Sequence, residues 1–171
     1  MNIKLKKRYK RYTQYLLIIF CLLGCNNIDC TLENVVSSTY EFYNSETKAP
    51  LTLTDTLTIQ TCGSDSILYN KGYGIKSVKI PMSYSRDVDT LLFIITASKA
   101  QATDTLFVAH TNEPFFESID CGTSVFHTIK SIHWNTGSST KGIPQIDSIA
   151  VLYPKVNYEQ KTHFRIYFHN T

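Results

Sequence analysis

From the mid-thirties onward, apolar and polar positions alternate with a period of two, the signature of half-buried β-strands. Val36, Ser38, Tyr40 and Phe42 alternate with Ser37, Thr39, Glu41 and Tyr43. Leu32, Val35, Val36, Thr39, Tyr40 and Tyr43 also fit a helical stripe, but crowded Val, Thr and Tyr favour a strand. Leu51 to Gln60 is the clearest case: Leu51, Leu53, Leu57 and Ile59 face one way, and Thr52, Thr54, Thr56, Thr58 and Gln60 the other. Further strands are predicted over Asp65–Asn70, Ile75–Met82, Asp89–Ala97, Thr103–His110, Thr123–Trp134, Ile146–Tyr153 and His163–His169. Asp89–Ala97 is apolar on both faces and is the candidate central strand. Ser98-Lys99-Ala100-Gln101 reads as a hairpin loop, Glu113-Pro114 as a break, and the Gly-, Ser- and Thr-rich run Asn135–Gly142 as a loop. Thr123–Trp134 is long enough to carry a bulge. In the last strand Phe164, Ile166 and Phe168 face inward, and His163, Arg165, Tyr167 and His169 outward.

About nine short strands with no intervening helical pattern predict an antiparallel β-sandwich, immunoglobulin-like or related, as a single domain over residues 33–171. Parallel pairing would call for crossover helices that the chain has no room for. A tripeptide of the type Asp-Ser/Thr-Ile/Leu begins at Asp55, Asp65, Asp89, Asp104 and Asp147. Its uneven spacing excludes a repeat architecture. An Asp that accepts turn amides and then hands the chain to β-branched or apolar residues would mark strand starts, with Asp55 the mid-strand exception.

The first 24 residues follow a different grammar. Lys4, Lys6, Lys7, Arg8, Lys10 and Arg11 precede an apolar run from Leu16 to Gly24. That order is a signal peptide, and the run is far short of the roughly 20 residues a spanning helix needs. Leu22-Leu23-Gly24-Cys25 resembles the lipobox of bacterial lipoproteins. The resemblance implies lipid transfer to Cys25, cleavage after Gly24 and acylation of the new amino terminus, palmitate among the acyl groups. Residues 1–24 are then a cleaved address and 25–32 the lipidated cysteine with a short tether. Charge changes with the cut: six of the 17 basic residues and none of the 14 acidic ones precede Cys25, so the remainder is net −3. The basic balance belongs to the address and gives no support for nucleic-acid binding.

Three cysteines follow the lipidated one: Cys30, Cys62 and Cys121. An oxidising compartment permits one bridge and one leftover thiol. Cys30–Cys121 would tie the start of the domain to its middle; three reduced thiols, with Cys62 as an apolar filler, is the alternative.

Catalytic and metal signatures are weak. His127 and His133 are six residues apart, as are His163 and His169, which along a strand is about 20 Å, too far to share one ion; exposed polar positions explain them. Asp87-Val88-Asp89, with Asp65, lacks EF-hand spacing for calcium. Gly72-Tyr73-Gly74 reads as a turn and not a phosphate loop. No G-x-S-x-G elbow occurs, and a thiol site at Cys62 or Cys121 would be oxidised or inert after export. No enzyme, cofactor or metal is expected. Trp134, beside the Asn135–Gly142 loop, and Tyr73 are the candidates for a surface contact, against core packing for Trp134.

Ser64-Asp65-Ser66-Ile67-Leu68-Tyr69-Asn70, Ile80-Pro81, Cys121-Gly122, Ile146-Asp147-Ser148-Ile149 and Arg165-Ile166-Tyr167-Phe168 together resemble a family of small Bacteroidetes lipoproteins of unknown function. In that family a Cys soon after the lipidated one accompanies the later Cys-Gly, which implies pairing of Cys30 with Cys121 and leaves Cys62 as the odd thiol. The resemblance supplies no activity. Surface-exported lipoproteins of that group resemble one another in acids just after the lipidated Cys; here Asp29 is the one acid in Asn26-Asn27-Ile28-Asp29. The expected site is therefore the outer membrane, on its periplasmic face, with the cell surface as the alternative. The expected function is a lipid-anchored, non-catalytic binding or structural module with a protein or glycan partner. An envelope hydrolase whose site forms only in three dimensions, and a subunit of a larger envelope assembly, are the competing classes.

Overall fold

The computed structural model describes residues 35–64, 66–98, 100–118, 121–137 and 141–170. The described residues contain ten strands and no helix: β1 Ser37–Asn44, β2 Thr56–Thr61, β3 Ile67–Gly72, β4 Ser77–Pro81, β5 Val88–Ala97, β6 Ala100–Phe115, β7 Ser124–Thr136, β8 Pro144–Val151, β9 Lys155–Val156 and β10 Phe164–Asn170. They form a four-stranded sheet, order β4-β1-β10-β8, and a six-stranded sheet, order β3-β2-β5-β6-β7-β9. The two sheets pack as an all-β sandwich. All nine strands predicted from periodicity are present, and the two-residue β9 is the addition.

Period two places the core. Tyr40 and Phe42 of β1, Val78 and Ile80 of β4, and Phe164, Ile166 and Phe168 of β10 are buried from one sheet. Leu57 and Ile59 of β2, Leu91, Phe93 and Ile95 of β5, and Leu106 and Val108 of β6 are buried from the other. Tyr40 stacks on Phe164 at 4.6 Å between centroids and meets Phe93 edge-on at 6.0 Å, so three strands from both sheets share one aromatic contact. Phe42 and Phe168 pack edge-to-face at 5.5 Å. Such pairs add about 0.5–1.5 kcal/mol beyond area burial. As expected, β5 is internal, between β2 and β6.

Several expectations need correction. β1 and β10 pair in parallel, with Tyr40 opposite Phe164; the crossover between them is the whole intervening domain, so no helix is called for. Leu51–Gln60 is not one strand: Leu53 makes an isolated bridge to Ile75, and pairing with β5 begins at Thr56. Asp55 thus stands at a strand start, whereas Asp104 and Asp147 lie inside β6 and β8; Asp65 lies outside the described residues. The β5–β6 hairpin is tighter than expected: Ala97 pairs with Ala100, and Ser98 takes a positive φ of 42° to make the turn. Glu113-Pro114 does not break the chain. β6 pairs with β5 as far as Ala109, the His110 amide still donates to the Asp87 carbonyl, and beyond it the ladder partner of β6 is β7 alone, so Pro114 sits on an edge, where its missing N–H costs no ladder bond.

The registers give the sandwich two distinct ends. β1, β5, β7 and β10 start at the end where Val35 leads in, and β2, β4, β6 and β8 finish there. At the opposite, far end, the Asp104 carboxylate is buried on the inner face of β6. Its Oδ2 accepts from the Ile146 amide of β8 at 2.8 Å, and its Oδ1 from the Gly137 amide at 3.2 Å. One side chain thereby joins both sheets. Burial raises its pKa, and the two amide bonds oppose the shift. Gly137 must be glycine, because a Cβ there would collide with the Thr103 carbonyl oxygen.

Asp104→Ala would leave two backbone amides without their acceptor. At about 1–3 kcal/mol per unsatisfied group, we expect a loss on the order of 3 kcal/mol in urea unfolding with unchanged far-UV circular dichroism. Asp104→Asn, which keeps one acceptor oxygen, should lose less.

Candidate functional site

The densest polar constellation among the described residues lies at the entry end, on the inner face of the six-stranded sheet. It arises from a local irregularity. Pairing of β6 with β7 shifts between Ala109 and His110, so Lys130 is an extra residue on β7. A bulge of this kind reverses the in/out alternation beyond it. His127 therefore comes to lie opposite Asn112 and is buried, while His133 is exposed. A regular strand would have put both on one face. Buried His127 also replaces the expectation of an exposed polar position.

His110, Asn112 and His127 then meet across two strands. Asn112 Nδ2 donates to the carbonyls of Arg86 at 2.8 Å and Tyr84 at 3.3 Å. Its Oδ1 is therefore the acceptor for both imidazoles, from His110 Nδ1 at 2.9 Å and His127 Nδ1 at 2.8 Å. This places a proton on Nδ1 of both rings. The rings stand edge-to-face, 5.1 Å apart. Asp89 closes the group from β5: its Oδ2 accepts from the Ser83 amide at 3.1 Å and lies 3.3 Å from His110 Nε2. Burial, and secondarily the neighbouring His110, pushes His127 down to about 4, so it is neutral at pH 7. The Asp89 charge adds to the burial that keeps the Tyr40 hydroxyl protonated.

What this arrangement does chemically is fasten the connection between β4 and β5 to β6 and β7. Both Nδ1 protons are committed to Asn112, the His110 side chain has no solvent exposure, and Asp89 accepts from the Ser83 amide. Asp87 and Asp89 were the calcium candidates; the Asp89 carboxylate accepts from the Ser83 amide, and the Asp87 carbonyl accepts from the His110 amide. Ser83 Oγ contacts Ser85 Oγ at 3.5 Å, and the hydrogen bonds of both imidazoles run to Asn112. No group of three or more His, Cys, Asp or Glu among them could hold a metal ion.

His163, also expected outside, is buried just before β10. Its Nδ1 accepts the Thr39 amide at 3.0 Å, and its own amide donates to the Thr39 carbonyl at 3.0 Å. The ring thus continues the β1–β10 ladder by one rung. Burial lowers its pKa, opposed by the Lys155 backbone; protonating Nδ1 would break the Thr39 bond.

The surface candidates separate. Trp134 pairs opposite Leu106 and packs half-buried against the core, in line with the core-packing alternative. Tyr73 is 73% exposed in the β3–β4 turn at the far end. Three strands lie between β3 and β7, so the two aromatics do not form one site. Cys62 is a free, exposed thiol, whereas Cys121 is not free. Cys25 and Cys30 lie outside the described residues.

The extent of the domain matches a sequence family. The profile of a family of unknown function (DUF6452) matches residues 28–168. The chain belongs to that family. No curated protein and no solved structure matches it. The DUF6452 match includes all four members of the Asp89–His110–Asn112–His127 group. Sequence reasoning missed this group because histidines were paired by spacing within a strand, whereas the bulge and the β6–β7 register bring them together.

Both His127 and His163 have folded pKa values below the unfolded value near 6.5. The unfolded chain therefore binds protons first as pH falls. Stability should be full above pH 6.5 and decline as pH drops towards about 4, by on the order of 2 kcal/mol for His127. Urea midpoints at pH 7.5 and 4.5 measure this decline. His127→Gln, which keeps a donor to Asn112 without a titrating proton, should make the decline shallower.

Proposed function

We propose that the DUF6452 domain is the soluble part of a lipid-anchored envelope protein and acts as a non-catalytic binding or structural module. The observation that carries this reading is the order basic segment, apolar run, Leu22-Leu23-Gly24-Cys25. The family match beginning at residue 28, just past that cysteine, supports the same division between address and domain. Acyl chains on Cys25 contribute about 0.8 kcal/mol per buried CH₂, and two or more chains make a lasting anchor. The outer membrane, on its periplasmic face, is the proposed location. A protein or glycan partner is proposed at the far end, where Tyr73 is the most exposed aromatic. The buried histidine group favours a structural over a hydrolytic reading, since its protons are held in protein hydrogen bonds.

The proposal includes a bridge between Cys30 and Cys121. It is supported by the contrast between Cys121, which is not free, and Cys62, which is.

Metabolic labelling with an alkynyl palmitate should mark the wild-type protein. Cys25→Ala should lose the label and accumulate at precursor mass. Label retained by Cys25→Ala, or none on the wild type, would overturn the anchoring reading. Non-reducing peptide mapping should recover Cys30 joined to Cys121 and Cys62 alkylated; a bridge to Cys62 would refute the pairing.

A further inference from the structure

The large apolar side chains that remain exposed are not spread over the sandwich. Nine are exposed among the described residues, and Tyr73 is the one at the far end. The others lie at the entry end or on strand ends beside it, on separate connections. Val35 precedes β1, and Tyr84 and Val88 flank the β4–β5 link. Phe116 follows β6 at the tip of its hairpin with β7, and Leu152 and Tyr153 follow β8. Tyr84 and Phe116 are 76% and 65% exposed. The far end instead exposes Glu46, Thr47, Lys48 and Lys141. A soluble domain scatters single apolar residues over its surface, whereas concentration at one end marks an interaction surface.

The chain itself indicates what covers that end. Val35 lies at it, ten residues after Cys25. Fully extended, ten residues span at most about 33–36 Å. A domain tethered that closely experiences its bilayer at an effective concentration in the millimolar range, so weak apolar contacts suffice to set its orientation. Tyr and Phe are residues suited to the headgroup boundary, with an apolar body and, in Tyr, a polar tip. Charge does not select the lipid: exposed Arg86, Lys155 and Lys161 are matched by Asp87, Glu113 and Glu159 at the same end.

We propose that the entry end of the sandwich docks on the lipid bilayer to which Cys25 is anchored, seating Tyr84 and Phe116 in the interfacial region and turning the far end, with Tyr73, away from the membrane. This inference rests on the anchoring reading above.

The test uses the full chain, produced in a lipoprotein-processing bacterium and reconstituted into phosphatidylcholine vesicles with acyl-brominated lipid. Trp134 is the single tryptophan. In a Trp134→Phe background, Phe116→Trp and Tyr84→Trp report the entry end and Tyr73→Trp the far end. We expect bromolipid to quench the two entry-end probes at least twofold and to leave the far-end probe within about a tenth of its unquenched emission. Equal quenching at both ends, or none at the entry end, overturns the inference. If Trp134→Phe does not fold, the same probes in the wild-type background, with Trp134 emission subtracted, give the same comparison. The intact mass of each sample separates the two claims. An acylated N-terminus with unquenched entry-end probes removes the docking alone; an unacylated one removes the anchoring reading and the docking with it.

Discussion

Strands β1 and β10 lie side by side and parallel at the centre of the smaller sheet, joined by Thr39 and His163 from positions 124 residues apart. The rest of the sandwich depends on this pairing. Without β10, β1 would pair with β4 alone and β8 would have no neighbour in its sheet. Phe164, Ile166 and Phe168 would be missing from between Tyr40, Phe42 and the larger sheet. The pairing also defers closure of the smaller sheet until the C-terminal strand is available, whereas β5, β6 and β7 are sequential antiparallel neighbours. Local hairpins close cheaply, and a contact of such long sequence separation carries the larger loop-closure cost.

Two buried polar devices hold the ends of this sandwich, and they differ in kind. At the far end the Asp104 carboxylate accepts two amides and is fully enclosed. At the entry end Asn112 gathers two histidines and two loop carbonyls, and Asp89 completes the group. Each satisfies backbone groups where connections leave the sheets, which is where a ladder can no longer do so. The entry-end device adds titratable rings, so acid acts on it through His127, while the hydrophobic inner faces are indifferent to pH.

Much of the architecture was legible in residue order. Period-two alternation located nine strands, and apolar residues on both faces of Asp89–Ala97 pointed to β5 as internal; its inner face is buried and its outer-face Leu92 and Ile94 are half-buried. What alternation could not show was register. His127 and His133 share a parity in sequence, and only the extra residue at Lys130 sends one inward and the other outward. The direction of β10 beside β1 was equally hidden, since pairing partners are not encoded in either strand's own pattern. Pro114 misled for a related reason: a proline reports a missing donor, but whether that donor was wanted depends on which side of the strand is already paired. Trp134 was ambiguous in sequence because a large aromatic beside a polar loop suits both a binding surface and the rim of a core; its position opposite buried Leu106 places it at the rim, half-buried.

The four open edges of the two sheets have a shared character. β4 ends in Pro81 and exposes Lys79; β8 begins with Pro144, exposes Asp147 and has a register shift against β10. β3 is twice out of register with β2 and bends through Lys71 at a positive φ of 48°. β9 has only two residues. Each is a known obstacle to adding another strand. Crowded copies are therefore hindered from adding a neighbour's strand at the β3, β4 and β8 edges. For a β-sandwich rich in Val, Ile and Thr, this restraint on self-assembly is as much a part of the sequence as the core.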